Sequence, residues 1–284
     1  MILCIDGYNF LHRARSGFNK GDYAICFNFF RNLRALVEQF KPNRVYFITE
    51  GRPVSRLESF PEYKAQRRVP ITDPKKQADM DSFLRQKELI FKLLESFPIS
   101  VMRHPEHEAD DVIYNLIRRS STAVPWVVAS NDTDFIQLLN EFDHVKLYNP
   151  MTKQFVDKPD YDYVNFKSLK GDGSDNIPGI PGVGAVTATE LARDSEKFHA
   201  YMKANPGAED IWARNFDLIK FFEFSDHDQG QVTSSSPTVS KHECIETIRS
   251  QFDWWKFQSI LKEPSWSKYV ATFDYLFGGD TSSR

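Results

Sequence analysis

The sequence predicts an α/β protein with a mostly parallel central sheet flanked by helices. Apolar runs such as ILCI (2–5), RVYFIT (44–49) and PWVVAS (125–130) have the length of buried strands, and longer amphipathic stretches separate them. This alternation is typical of parallel sheets, because each crossover helix covers one face of the sheet. In such sheets, ligands bind beyond the carboxyl ends of the strands.

The elements follow one another in a regular order through the first half of the chain. Strands and amphipathic helices are predicted alternately at 2–5 (strand), 23–40 (helix), 44–49 (strand), 75–97 (helix), 99–103 (strand), 110–120 (helix) and 125–130 (strand). We therefore predict an α/β domain over residues 1–158.

The second half, residues 159–284, has a predominantly helical pattern and is predicted to form a C-terminal helical region. A glycine-rich turn, GIPGVG (179–184), lies near its start. The polar stretch at about 225–240 lacks apolar periodicity, which predicts a long mobile loop. The tail at 245–261 is aromatic and has helical spacing.

The composition is that of a globular protein in a reducing compartment. The 284 residues carry a formal net charge of −3 and are 41% hydrophobic, which is enough for a sizeable core. Cys4, Cys26 and Cys244 are far apart and form neither a disulfide framework nor a zinc motif. The apolar start ends at Asp6, too early for a signal peptide, and we find no membrane-length apolar run. We expect a cytoplasmic protein of a bacterium or of a phage-infected host cell.

Acidic residues gather at the ends of the predicted elements. The set comprises Asp6, Glu50, Glu108, Asp110, Asp111, Asp132, Asp134, Asp172 and Asp175. Each one alone is explained by helix capping or by a turn. Together, at one edge of a parallel sheet, they would repel one another unless cations neutralised them. Oxygen ligands without His or Cys suit Mg²⁺ or Mn²⁺, and two such ions can promote phosphodiester hydrolysis.

Three blocks of sequence resemble the signatures of the flap endonuclease or 5′-nuclease family. They are HEADD (107–111), SNDTDF (130–135) and GDGSDNIPGIPGVG (171–184), and the resemblance runs from CIDGYNFLHRA (4–14) to GVGAVTATELA (182–192). This family includes phage flap endonucleases and the 5′-nuclease domain of bacterial DNA polymerase I. The resemblance implies a PIN-like fold with a helix-turn-helix (H3TH) DNA clamp at about 171–194.

The resemblance also implies the activity and its cofactors. A structure-selective 5′-nuclease, acting as 5′-3′ exonuclease and flap endonuclease, would hydrolyse DNA near single-strand/duplex junctions and remove primers or flaps in replication. Two or more Mg²⁺ ions, replaceable by Mn²⁺, would be held by the nine acids. Relatives usually have Asp where the second strand here ends in Glu50, so the metal geometry at that position is expected to differ.

A basic block, FPEYKAQRRVP (60–70), resembles the family's Tyr-Lys-x-x-Arg motif at the base of a helical gateway, here about 52–80. We interpret Lys64 and Arg67 as catalytic groups on one helix face that meet the scissile phosphate. Tyr63 is expected to stack on a base, and Arg68 to contact DNA. A solvated basic face is the alternative reading of the block by itself.

The turn 179–184 resembles the family's H3TH clamp. Gly179, Gly182 and Gly184 would allow the backbone to approach DNA phosphates, and the following helix would offer its N–H groups. The resemblance also implies a K⁺ ion bound by carbonyls of this turn. Such a clamp reads no base sequence.

The expected partner is branched or nicked DNA with a 5′ flap or 5′ end, RNA–DNA primers included. Removing the nine negative charges of the candidate ligands from the net charge of −3 leaves +6, which suits a DNA-binding protein. We expect a monomer that binds no membrane and works beside replication proteins. Two alternatives stay open: a PIN-like ribonuclease, and a DNA-junction binder without catalysis.

Three aromatic residues outside the metal and DNA predictions are interpreted as structural. Trp254 and Trp255 are expected to pack the tail against the body of the protein, because large aromatic side chains usually supply core area. His107, although inside an acidic block, is expected to be a solvent-facing loop residue.

Overall fold

The computed structural model describes residues 1–17 and 21–278, and its centre is a seven-stranded sheet. The strand order is β6-β5-β4-β1-β2-β3-β9, and the five inner strands are parallel while both edge strands are antiparallel. The strands are β1 (Ile2–Asp6), β2 (Arg44–Thr49), β3 (Ser100–Arg103), β4 (Trp126–Ala129), β5 (Val145–Asn149), β6 (Gln154–Phe155) and β9 (Thr233–Ser235). The predicted mostly parallel sheet is confirmed.

The described residues form fourteen α-helices. They are α1 (Gly7–Arg15), α2 (Ala24–Phe40), α3 (Val54–Ser59), α4 (Pro74–Leu94), α5 (Ala109–Arg118), α6 (Ile136–Glu141), α7 (Tyr163–Lys170), α8 (Ala185–Arg193), α9 (Ser195–Ala204), α10 (Ala208–Ile219), α11 (Asp226–Gln231), α12 (Lys241–Trp254), α13 (Gln258–Leu261) and α14 (Ser265–Asp274). A two-stranded ribbon, β7 (Gly171–Asp172) with β8 (Ile177–Pro178), follows α7.

The sheet is buried on both faces, as a parallel sheet requires. Along β1, Leu3 and Ile5 point into the larger core, which α1, α2, α4 and the C-terminal helices cover, whereas Cys4 points into the core under α5 and α6. This period-2 division explains why β1 is a continuous apolar run rather than an alternating one. Only its last residue, Asp6, is charged, and it stands at the carboxyl edge.

The C-terminal part of the chain packs in two places. Helices α7–α10 surround a small core of their own, which contains Leu169, Ile180 and Ala188. Helices α12–α14 instead pack into the large core beside α2, where Phe252 and Tyr269 are fully buried. The tail therefore helps to cover the sheet that carries the acidic edge.

The stretch predicted as a long mobile loop, 225–240, contains a helix and a strand, so its predicted lack of secondary structure was wrong. Ser225 and Asp228 form a capping box that starts α11, and β9 then pairs antiparallel with β3. All three residues of β9 are exposed, so the strand shows no apolar alternation for a sequence reading to detect. Its hydrogen bonds to β3 define it instead.

The prediction for the two tail tryptophans was half right. Trp255 is buried in the large core, whereas Trp254 is 61% exposed and leans on Tyr23 with ring centroids 5.3 Å apart. No helix among the described residues has the length and apolar character needed to cross a membrane.

Gly51 should be required for stability, because it follows β2 where the chain passes against the loop 104–107. A Cβ at Gly51 would lie 1.9 Å from the carbonyl oxygen of His104 and 2.4 Å from that of His107. We expect Gly51→Ala to lower the free energy of unfolding by about 2 kcal/mol or more, as overpacking does. At Gly173 a Cβ would meet open space among the described residues. In urea denaturation, Gly173→Ala should therefore stay within about 0.5 kcal/mol of the wild type, and equal stability of the two variants would contradict the packing.

Candidate metal centre

The carboxyl ends of neighbouring strands bring the first acids together. Asp6 ends β1, Glu50 follows β2, and Asp132 follows β4, and these strands are adjacent and parallel. Asp6 is 6% exposed and accepts hydrogen bonds from Ser130 Oγ (2.7 Å) and Asn9 N (3.2 Å). Asp132 is exposed at the rim, where its carboxylate accepts from the amide of Asp134 (3.0 Å). The parallel topology thus gathers acids that are far apart in the chain.

The start of α5 supplies the next acids. Glu108, Asp110 and Asp111 have carboxylate oxygens within 4.8 Å of one another. The helix is capped from outside this group, because Glu50 Oε2 accepts from the amide of Ala109 (3.0 Å). The longer side chain of Glu50, compared with Asp, is thus used to join β2 to α5.

Asp111 differs from the other predicted ligands in its surroundings. It is fully buried, and the guanidinium of Arg56 contacts both of its carboxylate oxygens, at 2.6 and 2.8 Å. The amide of Phe222 donates to Oδ1 as well (2.8 Å). The role of Asp111 as a metal ligand, carried over from the family motif, therefore competes with three hydrogen bonds.

A second cluster comprises Asp134, Asp172 and Asp175, whose carboxylate oxygens lie within 4.8 Å of one another. The ammonium group of Lys167 contacts the carboxylates of both Asp134 and Asp172. Burial is the largest single influence and by itself would lower the pKa of Lys167, but the charges and hydrogen bonds of Asp134 and Asp172 together outweigh it and raise that pKa above its usual value. Sequence reasoning missed Lys167, because one lysine in an amphipathic helix carries no distinguishing signal.

The predicted basic block connects the two clusters. Lys64 Nζ lies 2.5 Å from Glu108 Oε1 and 3.3 Å from Asp175 Oδ2, and Arg67 Nη2 lies 2.8 Å from Asp175 Oδ1. The prediction that Lys64 and Arg67 share a helix face was wrong. Lys64 has a left-handed conformation (φ 52°) and precedes a 3₁₀ turn, Ala65–Arg68. Both cations nevertheless reach the same carboxylate.

Two other members of the block face inward. Tyr63 is 3% exposed and donates a hydrogen bond from its hydroxyl to Glu108 Oε2 (2.8 Å). In this arrangement its ring presents no open face on which a base would stack, unlike the expectation. Arg68 folds back on its own segment and donates to the carbonyls of Tyr63 (2.8 Å) and Pro61 (2.6 Å).

The electrostatics of the site favour added positive charge. Burial, together with the charges of Asp6 and Glu108, raises the pKa of Glu50 to about 8. Burial is also the main cause that raises the pKa of Asp6 to about 6 and that of Asp134 to about 6. These shifts mean that the charged form of each carboxyl group is destabilised in the metal-free protein. The donor set is entirely oxygen, so its chemistry fits hard divalent cations such as Mg²⁺ and Mn²⁺.

The three glycines of the predicted clamp have different surroundings. Gly179 is packed so closely that a Cβ would lie 2.0 Å from the carbonyl oxygen of Lys170, which makes it a residue of the fold. Gly182 has a positive φ of 80°, and Gly184 precedes α8 as its N-cap residue. A Cβ at either of these two would meet open space among the described residues.

A further cluster, His104, His107 and Asp228, has ligand atoms within 4.8 Å of one another. The expectation for His107 was wrong, since it is buried against Phe222. The amide of Glu106 donates to His104 Nδ1 (3.0 Å), so a neutral His104 carries its proton on Nε2 and offers no lone pair there. Asp228 is engaged in the cap of α11. We interpret this cluster as packing between β3 and α11.

Comparison with known proteins gives a consistent family. Residues 1–167 match the family model described as 5′-3′ exonuclease, N-terminal resolvase-like domain. A 5′-3′ exonuclease of Mycobacterium tuberculosis is 30% identical over 187 residues, which are 57% of this chain and 58% of that protein. DNA polymerase I of Chloroflexus aurantiacus is 26% identical over 227 residues, 72% of this chain and 23% of the polymerase. The chain thus spans less than two thirds of the length of these relatives.

Solved structures share the fold. The bacteriophage T5 D15 protein crystallised with metal ions has a TM-score of 0.66 at 18% identity, over 97% of this chain and 98% of its own. T5 5′-exonuclease with bound zinc has a TM-score of 0.67 at 18% identity, covering 98% and 99%. A DNA complex of the Rad2 catalytic core has a TM-score of 0.54 at 16% identity, covering 96% and 92%. These likenesses confirm the predicted PIN-like nuclease fold.

Glu50 should make the metal-free protein less stable as the pH rises. Its pKa in the folded protein, about 8, exceeds the usual 4.3 of an unfolded chain. The folded state therefore binds the proton more tightly, and this stabilisation is complete at low pH and lost as the pH rises through 8. In EDTA, the melting temperature of the wild type should fall between pH 5 and 9 more than that of Glu50→Gln. An exposed control, Glu106→Gln, should keep the wild-type slope, and parallel curves for all three proteins would contradict the shift.

Proposed function

The chain belongs to the 5′-3′ exonuclease family, and from this premise we propose that it is a structure-selective 5′-nuclease acting on DNA. It would cleave branched or nicked DNA near the single-strand/duplex junction as a 5′-3′ exonuclease and flap endonuclease. The observation that carries the proposal is the double acidic cluster joined by Lys64, which contacts Glu108 and Asp175 together. The relationship to DNA polymerase I supports a role in removing primers or flaps during replication.

The metal-binding residues would divide between the clusters. Asp6, Glu50, Glu108, Asp110, Asp111 and Asp132 would surround the first position, and Asp134, Asp172 and Asp175 the second. Mg²⁺, with Mn²⁺ as a substitute, would supply an activated water and stabilise the leaving oxygen when bound there. Cleavage should therefore depend on carboxylates from both clusters.

The cations of the protein have their own task at the phosphate. Lys64 and Arg67 neutralise Glu108 and Asp175 in the metal-free protein. A scissile phosphate between the clusters would meet the same two side chains, which would hold it in line and offset its developing negative charge. Arg67, whose side chain is 56% exposed, is the more accessible of the pair.

The clamp would hold the duplex away from the cut. Gly182 and Gly184 leave open space for an approaching backbone, and α8 begins directly after them with no side-chain cap among the described residues on its first N–H groups. We propose that this turn contacts duplex phosphates without reading sequence, with a K⁺ ion bound by its carbonyls. The protein would act as a monomer beside replication proteins, and RNA–DNA primers are included among its substrates.

Cleavage of a 5′-flap DNA duplex tests the proposal. With Mg²⁺, a 5′-labelled flap should be cut near the junction, and EDTA should abolish the cut. Asp110→Asn/Asp175→Asn should lower the rate by at least about 1000-fold, since it removes one carboxylate from each cluster. Asp226→Asn, at an exposed aspartate of α11, should cut at the wild-type rate.

Two results would favour the alternative functions. Preferential cutting of a matched single-stranded RNA would indicate a ribonuclease. Tight flap binding without cleavage in Mg²⁺ or Mn²⁺ would indicate a junction-binding protein. Either result would contradict the proposed cleavage of branched DNA.

Lys64 should affect turnover more than binding. Its ammonium group is in the centre of the two clusters, so we expect Lys64→Ala to lower kcat by about 100-fold, the size of one lost electrostatic contact. The Kd for flap DNA, measured in Ca²⁺, should change by less than about threefold. Lys268→Ala, at an exposed lysine of α14, is the matched control. A Lys64→Ala variant with weaker binding and unchanged kcat would show that Lys64 only attracts DNA.

A further inference from the structure

Arg56 is a buried cation at the base of the gateway segment, in the short helix α3, and is 8% exposed. Its guanidinium has five N–H donors, and the structure pairs all of them. Nη1 donates to Glu108 Oε2 (2.9 Å) and Asp111 Oδ2 (2.6 Å), and Nη2 to Asp111 Oδ1 (2.8 Å). Nε donates to the carbonyl of Leu218 (2.9 Å), and Nη2 also donates to the carbonyl of Lys220 (3.2 Å).

This one side chain therefore joins three segments. They are α3 in the gateway segment, the acidic start of α5, and the chain that leaves α10. A lysine has three donors without the planar fork, so it would leave carbonyls or carboxylate oxygens in this buried place without partners.

The two carboxylates on Arg56 are not equivalent. Asp111 is fully buried, and its two oxygens accept hydrogen bonds from the guanidinium of Arg56 and from the amide of Phe222. His107 Nδ1 lies 3.7 Å from Asp111 Oδ2. Glu108 gives only Oε2 to Arg56 and to the hydroxyl of Tyr63 (2.8 Å). Its other oxygen, Oε1, faces Lys64 at the junction of the two clusters.

The geometry points to a division of labour within the acidic start of α5: Asp111 is the counter-ion of Arg56 rather than a metal ligand, and Arg56 is a positioning residue that orients Glu108. The inference rests on the proposed metal-dependent function, because it assigns which carboxylate receives the ion. Asp111 thereby leaves the predicted set of metal ligands. Arg56, which the sequence shows only as one of several basic residues in the gateway segment, becomes a positioning residue.

The burial of Arg56 and Asp111 determines which variants test the inference. Two buried charges are costly to desolvate, and the cost is offset only when hydrogen bonds satisfy every donor and acceptor. Removing Arg56 alone would leave an uncompensated buried carboxylate, whereas neutralising both partners removes that penalty. The double variant Arg56→Gln/Asp111→Asn is therefore the cleaner probe of orientation, and Asp111→Asn alone is the probe of ligation.

Mn²⁺ titration of the metal-free, full-length chain tests the first half of the inference. Isothermal calorimetry and the electron paramagnetic resonance signal of free Mn²⁺ give the number of bound ions and their Kd. Asp111→Asn should bind as many ions as the wild type, and Asp110→Asn should bind one fewer. If folded Asp111→Asn loses one ion, Asp111 is a ligand and the inference is overturned. If Asp111→Asn does not fold by circular dichroism, the double variant with Arg56→Gln decides the same question by its ion count.

A double-mutant cycle tests the second half. Arg56→Gln/Asp111→Asn should raise the Kd of the first ion about tenfold, as the loss of a group that orients a ligand does. In a Glu108→Gln background the same pair should change that Kd by less than about twofold, because the group to be oriented is already disabled. An equal loss in both backgrounds would mean that Arg56 only stabilises the fold and would overturn its positioning role.

The outcome is separable from that of the proposed nuclease. A wild type that binds Mn²⁺ with the predicted variant pattern but does not cut flap DNA would sustain the inference and contradict the nuclease. A wild type that binds no Mn²⁺ would overturn the inference itself.

Discussion

Carboxylates that are held within a few ångströms of one another repel, and the surroundings of the sheet's carboxyl edge offset that repulsion. Parallel pairing of β1, β2 and β4 forces Asp6, Glu50 and Asp132 to the same edge. Two lysines of the chain offset this repulsion, because Lys64 and Lys167 each form ion pairs with two of the nearby carboxylates. Without these cations the buried acids would be protonated or would separate.

This constraint links the predicted gateway segment, about 52–80, to the acidic edge. Four side chains of that segment contact acids of the site, namely Glu108, Asp111 or Asp175. They are Arg56, Tyr63, Lys64 and Arg67. A segment anchored by ion pairs to the candidate ligands responds to any change of charge in the site. Binding of a divalent cation would compete with Lys64 and Lys167 for the same oxygens, which couples metal binding to the freedom of the groups that would contact DNA.

The sequence predicted four of the five parallel strands and the location of the acids at their ends, because both depend on local patterns. Apolar runs that end in Asp6 or Glu50 are visible in the sequence, and parallel pairing follows from the intervening helices. Lys167 and Arg56 were missed because their importance arises only from what tertiary packing places around them. The strand β9 was missed because an edge strand exposed on both faces has no alternation, and Tyr63 was placed outward because burial of a hydroxyl on a carboxylate leaves no mark in the sequence.

Crystals soaked in Mn²⁺ would show whether the acids at the carboxyl edge are a centre for two divalent ions. Anomalous diffraction near the manganese edge locates each ion independently of any assay. We expect one peak between Glu108 and Asp110 and a second among Asp134, Asp172 and Asp175, with Lys167 displaced from at least one of its carboxylates. Crystals that keep Lys167 on both carboxylates and show no peak at either cluster in millimolar Mn²⁺ would contradict this expectation.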